Sequence, residues 1–161
     1  MSREIKFRAW QKYHKKMLEV LDIGFKDGEV NSVKVKYPED TIPPVVTYKK
    51  NDEKFWIDDD CIKLMQYTGL KDKNGEEIYE GDIVKSKMYL PIGDGSRERV
   101  LSDKGVMCYD KLGILAIKTD EYNEKPCYSD FFHTIELSDC EFEIEVIGNI
   151  YENPELLEEK Q

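Results

Sequence analysis

Three adjacent carboxylates, Asp58, Asp59 and Asp60, form the densest cluster of hard-cation ligands in the sequence. Carboxylate oxygens suit divalent cations such as calcium or magnesium. On an extended chain, however, neighbouring side chains point to opposite faces. Three in a row converge only in a tight turn or with distant help. The EF-hand spacing is absent, because Cys61 and Ile62 follow Asp60. The run reads as a solvated linker, and no metal is expected there.

His14 and His133 are the only histidines. His14 lies among Lys12, Lys15 and Lys16, cations that disfavour its protonated form. Ser129, Asp130 and His133 have the residue types of a hydrolytic triad. A triad is defined by geometry and not by closeness in sequence, and no nucleophile elbow accompanies them. Cys61, Cys108, Cys127 and Cys140 are too scattered for a C-x-x-C motif. They are expected as free thiols without zinc or disulfide. The glycines form neither a P-loop nor a dinucleotide fingerprint, and Gly81-Asp82 reads as a turn or bulge entering a barrel strand. No catalytic residue, cofactor or metal is therefore expected, and the chain is read as a non-enzyme.

Two binding surfaces remain. Lys6, Arg8, Lys12, Lys15 and Lys16, interleaved with Trp10 and Tyr13, have the composition of a nucleic-acid platform. The alternative is the wet face of a strand and a charged hairpin tip. The formal net charge of -10 opposes phosphate binding. Residues 1–60 balance twelve basic against twelve acidic side chains, so residues 61–161, with twelve against twenty-two, carry the whole excess. No appreciable duplex-DNA binding is expected at physiological salt. The ten tyrosines and two tryptophans offer a second surface, for protein contact.

The elements that must position these residues are strands. Residues 5–9 alternate apolar and basic side chains, the period of a half-buried strand. Residues 17–23 make a second strand, and Asp27-Gly28 a turn. Val30, Val33, Val35 and Tyr37 suggest a third strand with a bulge between Val30 and Val33. Residues 38–44 read as a proline loop and residues 45–48 as a short strand. Residues 64–70 and 78–84 form a hairpin around Asn74-Gly75, where the backbone needs left-handed φ. Residues 85–104 read as a long mobile excursion. A second hairpin pairs residues 105–109 with 114–118. Residues 120–130 read as loop, and residues 131–137 as a short strand or turn. In residues 141–146, Phe142, Ile144 and Val146 should face a core, with Glu141, Glu143 and Glu145 outward. Asn153, Pro154 and Glu155 open a short helix. Many short strands punctuated by turns argue for an all-β barrel or roll.

Three stretches also carry a resemblance. They are Lys6-Phe7-Arg8-Ala9-Trp10 with Lys16-Met17; Leu64-Met65-Gln66-Tyr67-Thr68-Gly69-Leu70-Lys71-Asp72-Lys73-Asn74-Gly75 with Ile78-Tyr79-Glu80-Gly81-Asp82-Ile83-Val84; and Glu145-Val146-Ile147-Gly148-Asn149-Ile150-Tyr151-Glu152-Asn153-Pro154. Together they resemble the YopX-like proteins of phages and prophages of Gram-positive bacteria. Two departures are Gln11, where the pattern has an acidic residue, and the charged segment 85–104, which reads as an insertion. The resemblance implies a C-terminal half folded as a small SH3-like barrel or roll. It implies no reaction and transfers no functional residue.

The resulting expectation is a mostly β protein. Residues 1–60 form an N-terminal β subdomain, residues 61–152 an SH3-like domain and residues 153–161 a short helix or tail. It lacks a run of about 18 apolar residues that could span a membrane and has no secretory leader, so it is expected in the cytoplasm of a bacterial host. The expected role is that of a phage or prophage accessory module binding a host or phage protein. Self-association stays open. The rivals are a nucleic-acid-associated regulator and a metal-assisted enzyme built on residues 58–60.

Overall fold

The structure, a computed structural model, describes residues 4–36, 54–58, 62–91, 97–109, 113–119, 127–130 and 141–158. It is mostly β. In chain order the strands are β1 (Phe7–Gln11), β2 (Lys16–Lys26), β3 (Glu29–Lys36), β4 (Lys54–Asp58), β5 (Ile62–Lys71), β6 (Glu77–Tyr79), β7 (Asp82–Pro91), β8 (Arg97–Tyr109), β9 (Leu115–Thr119), β10 (Cys127–Asp130) and β11 (Glu141–Asn149), followed by a short helix, α1 (Glu155–Glu158). One sheet has the order β4-β3-β2-β1-β5-β6 and the other β10-β9-β8-β7-β11. The chain divides into two compact units, residues 1–67 and 68–161, and β5 runs through the division.

In the first unit, β1 pairs antiparallel with β2, setting Ala9 opposite Leu18, and with β5, setting Ala9 opposite Leu64. The core is Ala9, Leu18, Val33, Val35 and Ile62, with Val20, Val30 and Leu64 packed against it. Val30 and Val33 are three apart, so in a regular strand they would face opposite ways. The register passes from Gly24 opposite Ser32 to Phe25 opposite Val30, which leaves Asn31 as an extra residue. That is the expected bulge, and it returns Val30 to the core face. The β2–β3 turn has φ of 55° at Asp27 and 88° at Gly28. Positive φ at both central residues matches the right-handed twist of the flanking strands. The expected strand at residues 45–48 and the loop at 38–44 lie outside the described residues.

The second unit has its own core: Ile78, Val84, Met107, Leu115, Ile117 and Ile144, with Leu70, Tyr109 and Val146 against it. Each fully buried side chain of this size contributes about 1.5–3 kcal/mol relative to exposure. On β11, Ile144 is buried and Glu143 exposed, as the alternation requires, and Val146 packs inward. The side chains of Glu141 and Phe142 lie outside the described residues. The hairpin at Asn74-Gly75 is present, with Gly75 at a φ of 85°. The β8–β9 hairpin is also present, with Met107 opposite Ile117.

Three expectations need correction. The return strand at residues 78–84 is two strands, broken at Glu80-Gly81, with β6 in one sheet and β7 in the other. Gly81, at a φ of 84°, makes the corner between them, at the turn expected for Gly81-Asp82. Residues 85–104 are no loose excursion over their described length. They form the β7–β8 ribbon, in register from Ile83 opposite Val106 to Leu90 opposite Arg99, with a one-residue shift before Pro91 opposite Arg97. Of their charges, Lys85 and Lys87 stand exposed on one face of β7. Residues 127–130, read as loop, form the edge strand β10, pairing Ser129 with Ile117. The second sheet has β10 and β11 as its two ends, and among the described residues no pairing joins them, so it is open. Closure would require those two strands to bond to one another.

Candidate functional site

Among the described residues, no three His, Cys, Asp or Glu side chains come together in a way that could hold a metal ion. Asp58 ends β4, while Asp59, Asp60 and His133 lie outside the described residues. The side chains of Ser129 and Asp130 are likewise outside them. His14 sits in the β1–β2 turn with its ring edge-on to Tyr13, centroids 5.9 Å apart. Its backbone N–H donates to Gln11 Oε1. Gln11 is buried and caps this turn, and a carboxylate there could accept the same hydrogen bond. Trp10 is buried and Tyr13 is 76% exposed, so the proposed aromatic platform is divided between core and surface. Cys108 carries a free thiol, while Cys61 and Cys140 lie outside the described residues.

The stretches that carried the resemblance act on the backbone. The Thr68 hydroxyl donates to the Ile78 carbonyl at 2.7 Å and accepts from Leu70 N–H at 3.3 Å. Asp72 is buried, and its Oδ1 accepts from Asn74 N–H at 2.7 Å and Glu76 N–H at 2.9 Å. Its Oδ2 accepts from Val146 N–H at 3.2 Å, across to β11. Next to it, Lys73 N–H donates to the Ile144 carbonyl at 2.9 Å. The hairpin loop thus bonds to the flank of β11, engaging groups that an edge strand would otherwise leave unpaired. Burial raises the Asp72 pKa, but the hydrogen bonds from Glu76, Asn74 and Val146 together outweigh it and hold the carboxyl below its ordinary value.

The other polar members behave alike. Asp82, fully buried, accepts from Tyr79 N–H at 2.7 Å and closes the corner between β6 and β7. Asn149 Oδ1 accepts from Tyr151 N–H at 3.1 Å and Glu152 N–H at 2.9 Å, and its Nδ2 donates to Glu152 Oε2 at 2.6 Å. This is the logic of a capping box, in which side chains satisfy the first amides of a helical turn. Gly148 is closely approached by the turn that follows it. A Cβ there would stand 2.6 Å from Asn153 Oδ1 and 2.9 Å from Leu156 Cδ1.

Among the described residues, a concavity of about 300 Å³ lies in the second unit. Alternate residues of β7, Lys85 and Lys87, are exposed. Register sets Lys85 between Lys104 of β8 and Glu145 of β11, and Lys87 between Ser102 and Glu143. Lys73 reaches in from the hairpin loop, its Nζ donating to Glu145 Oε2 at 2.7 Å. That hydrogen bond first, and then the charges of Glu145, Glu143 and Asp72, outweigh the effect of burial and raise the Lys73 pKa. Ile144 completes the lining. Reading residues 85–104 as loose chain concealed this site. The signal that reveals it is Lys-x-Lys at strand spacing within a paired ribbon.

Comparison with known proteins is consistent with this architecture. A family model described as YopX protein matches residues 6–158. Among solved structures, protein EF1440 from Enterococcus faecalis is 27% identical, with 97% of this chain and 99% of that chain covered and a TM-score of 0.50. No curated protein matches the chain.

Proposed function

We propose, from the premise that this chain belongs to the YopX protein family, that it is a phage or prophage accessory protein working by contact with another protein rather than by catalysis. The observation that supports this reading is the lysine-lined concavity, a presented surface whose residues lie on three adjacent strands, β8, β7 and β11, and the hairpin loop. Four polar residues of the stretches that carried the resemblance, Thr68, Asp72, Asp82 and Asn149, are buried and engaged with the backbone. Their chemistry is structural: acceptors for amides that the turns leave unpaired. A surface held by such a frame is well suited to binding. The expected setting is the cytoplasm of the bacterial host.

Affinity capture from host lysate, with identification of retained proteins, tests this. A retained protein that binds the purified chain directly and saturably supports it. Turnover of a small substrate, lost on substituting a residue of the concavity without loss of folding, would replace it with an enzymatic reading.

A further inference from the structure

We propose that the concavity receives a short, extended, acidic segment of the partner protein, whose alternate carboxylates meet Lys85 and Lys87. This rests on the protein-contact reading above and names the chemistry of the contact.

Lys85 and Lys87 lie two residues apart on one face of β7, about 7 Å along the strand. An extended peptide presents alternate side chains at the same repeat, so an acid-x-acid segment matches them pairwise. Among the described residues, neither lysine takes part in an ion pair. Glu145, the acidic neighbour of Lys85 across β11, is engaged by Lys73. On its other side Lys85 stands opposite Lys104. The concavity is too small for a domain surface and of a size to take a few residues of extended chain.

Charge also distinguishes peptide from nucleic acid. The chain carries a net charge of -10, and the excess belongs to residues 61–161. A nucleic-acid strand carries a phosphate at every nucleotide, so its charge runs on past the two lysines, on a chain whose net charge opposes phosphate binding. A peptide with two or three acids confines its charge to the lysines. The Debye length of about 8 Å screens the remainder at physiological salt.

The test is fluorescence anisotropy on the full chain with a short labelled peptide of alternating Glu and Ser. The expected result is saturable binding that weakens with salt and disappears for the Gln-for-Glu peptide. The double variant Lys85→Gln/Lys87→Gln should bind about tenfold more weakly, as two exposed ion pairs are lost. Lys12→Gln/Lys15→Gln should bind as the wild type does. Glu143→Gln removes a carboxylate beside Lys87 and should bind more tightly, a gain that misfolding cannot imitate. Equal binding by the wild type and the Lys85→Gln/Lys87→Gln variant overturns the proposal. So does displacement of the peptide by a single-stranded oligonucleotide of equal charge at lower concentration, which would assign the concavity to nucleic acid. In lysate capture, a partner held equally by wild type and double variant refutes the concavity but leaves the protein-contact reading standing. Capture of no protein by wild type refutes the reading on which the assignment rests.

Discussion

The two units solve the same problem, joining antiparallel strands, with different materials. Among the described residues, the first unit buries one polar side chain, Gln11, whereas the second buries Thr68, Asp72, Asp82, Ser86 and Asn149. In the first unit, strands meet through a tight turn at Asp27-Gly28 and through bulges that realign valines onto the core face. In the second, side chains stand in for backbone partners where the chain turns sharply or changes sheet. A buried acceptor with several donors is costly to lose, because each stranded donor bears its own desolvation penalty. Apolar strands tolerate substitution by residues of similar volume more readily. Sequence-specific motifs should therefore concentrate in the second unit, and two of the three stretches that carry the family resemblance lie wholly or largely there.

The largest effect that probes this contrast is Ile144→Asp. It buries an unpaired charge in the second core and should cost about 3–5 kcal/mol, or abolish folding of that unit. Chemical denaturation followed by circular dichroism measures it. A variant within error of the wild type would mean that the faces of β11 are reversed.

Next is a direct comparison of Asp72→Ala with Gln11→Ala. Removing Asp72 strands the amides of Asn74, Glu76 and Val146, an expected loss of about 3 kcal/mol or more. Removing Gln11 strands one amide, that of His14, for about 1 kcal/mol. Equal losses in urea titrations would erase the distinction between the units.

Smaller again is Gly148→Ala. The new methyl would meet Asn153 and Leu156, and the strain of overpacking should cost about 1–3 kcal/mol. A differential scanning measurement sharpens the comparison if Gly28→Ala, where a Cβ meets nothing within 4 Å, loses stability through its backbone conformation alone.

The smallest effect is a pH dependence. Asp72 is held below its ordinary pKa in the folded state. Its contribution is present above the unfolded value of about 3.9 and is lost as pH falls through the lower folded value. The stability difference between wild type and Asp72→Asn should therefore shrink on acidification from about pH 6 to below pH 4. Denaturation midpoints across that range check the sign, and a difference that grew would contradict it.

What could be read directly from the residues was local. Alternation in residues 141–146 identified the buried Ile144 and exposed Glu143, because strand side chains repeat every two residues. Asn74-Gly75 located a hairpin, because left-handed φ is a property of a single residue. The bulge near Asn31 followed from valines at odd spacing. The tertiary structure decided the rest. Ile78 and Val84 read as one strand, yet the corner at Gly81 sends β6 and β7 into different sheets. Residues 85–104 are rich in charge, and only the pairing of β7 with β8 makes Lys85 and Lys87 neighbours on the exposed face of a ribbon. Asp72 and Val146 are 74 residues apart, and Lys73 and Glu145 are 72 apart. A hydrogen bond depends on where its donor and acceptor lie in space, and at such separations that is set by the pairing of all the strands between them. The lysine-lined concavity has the same origin: β7 supplies the repeat, and β8, β11 and the hairpin loop supply the walls.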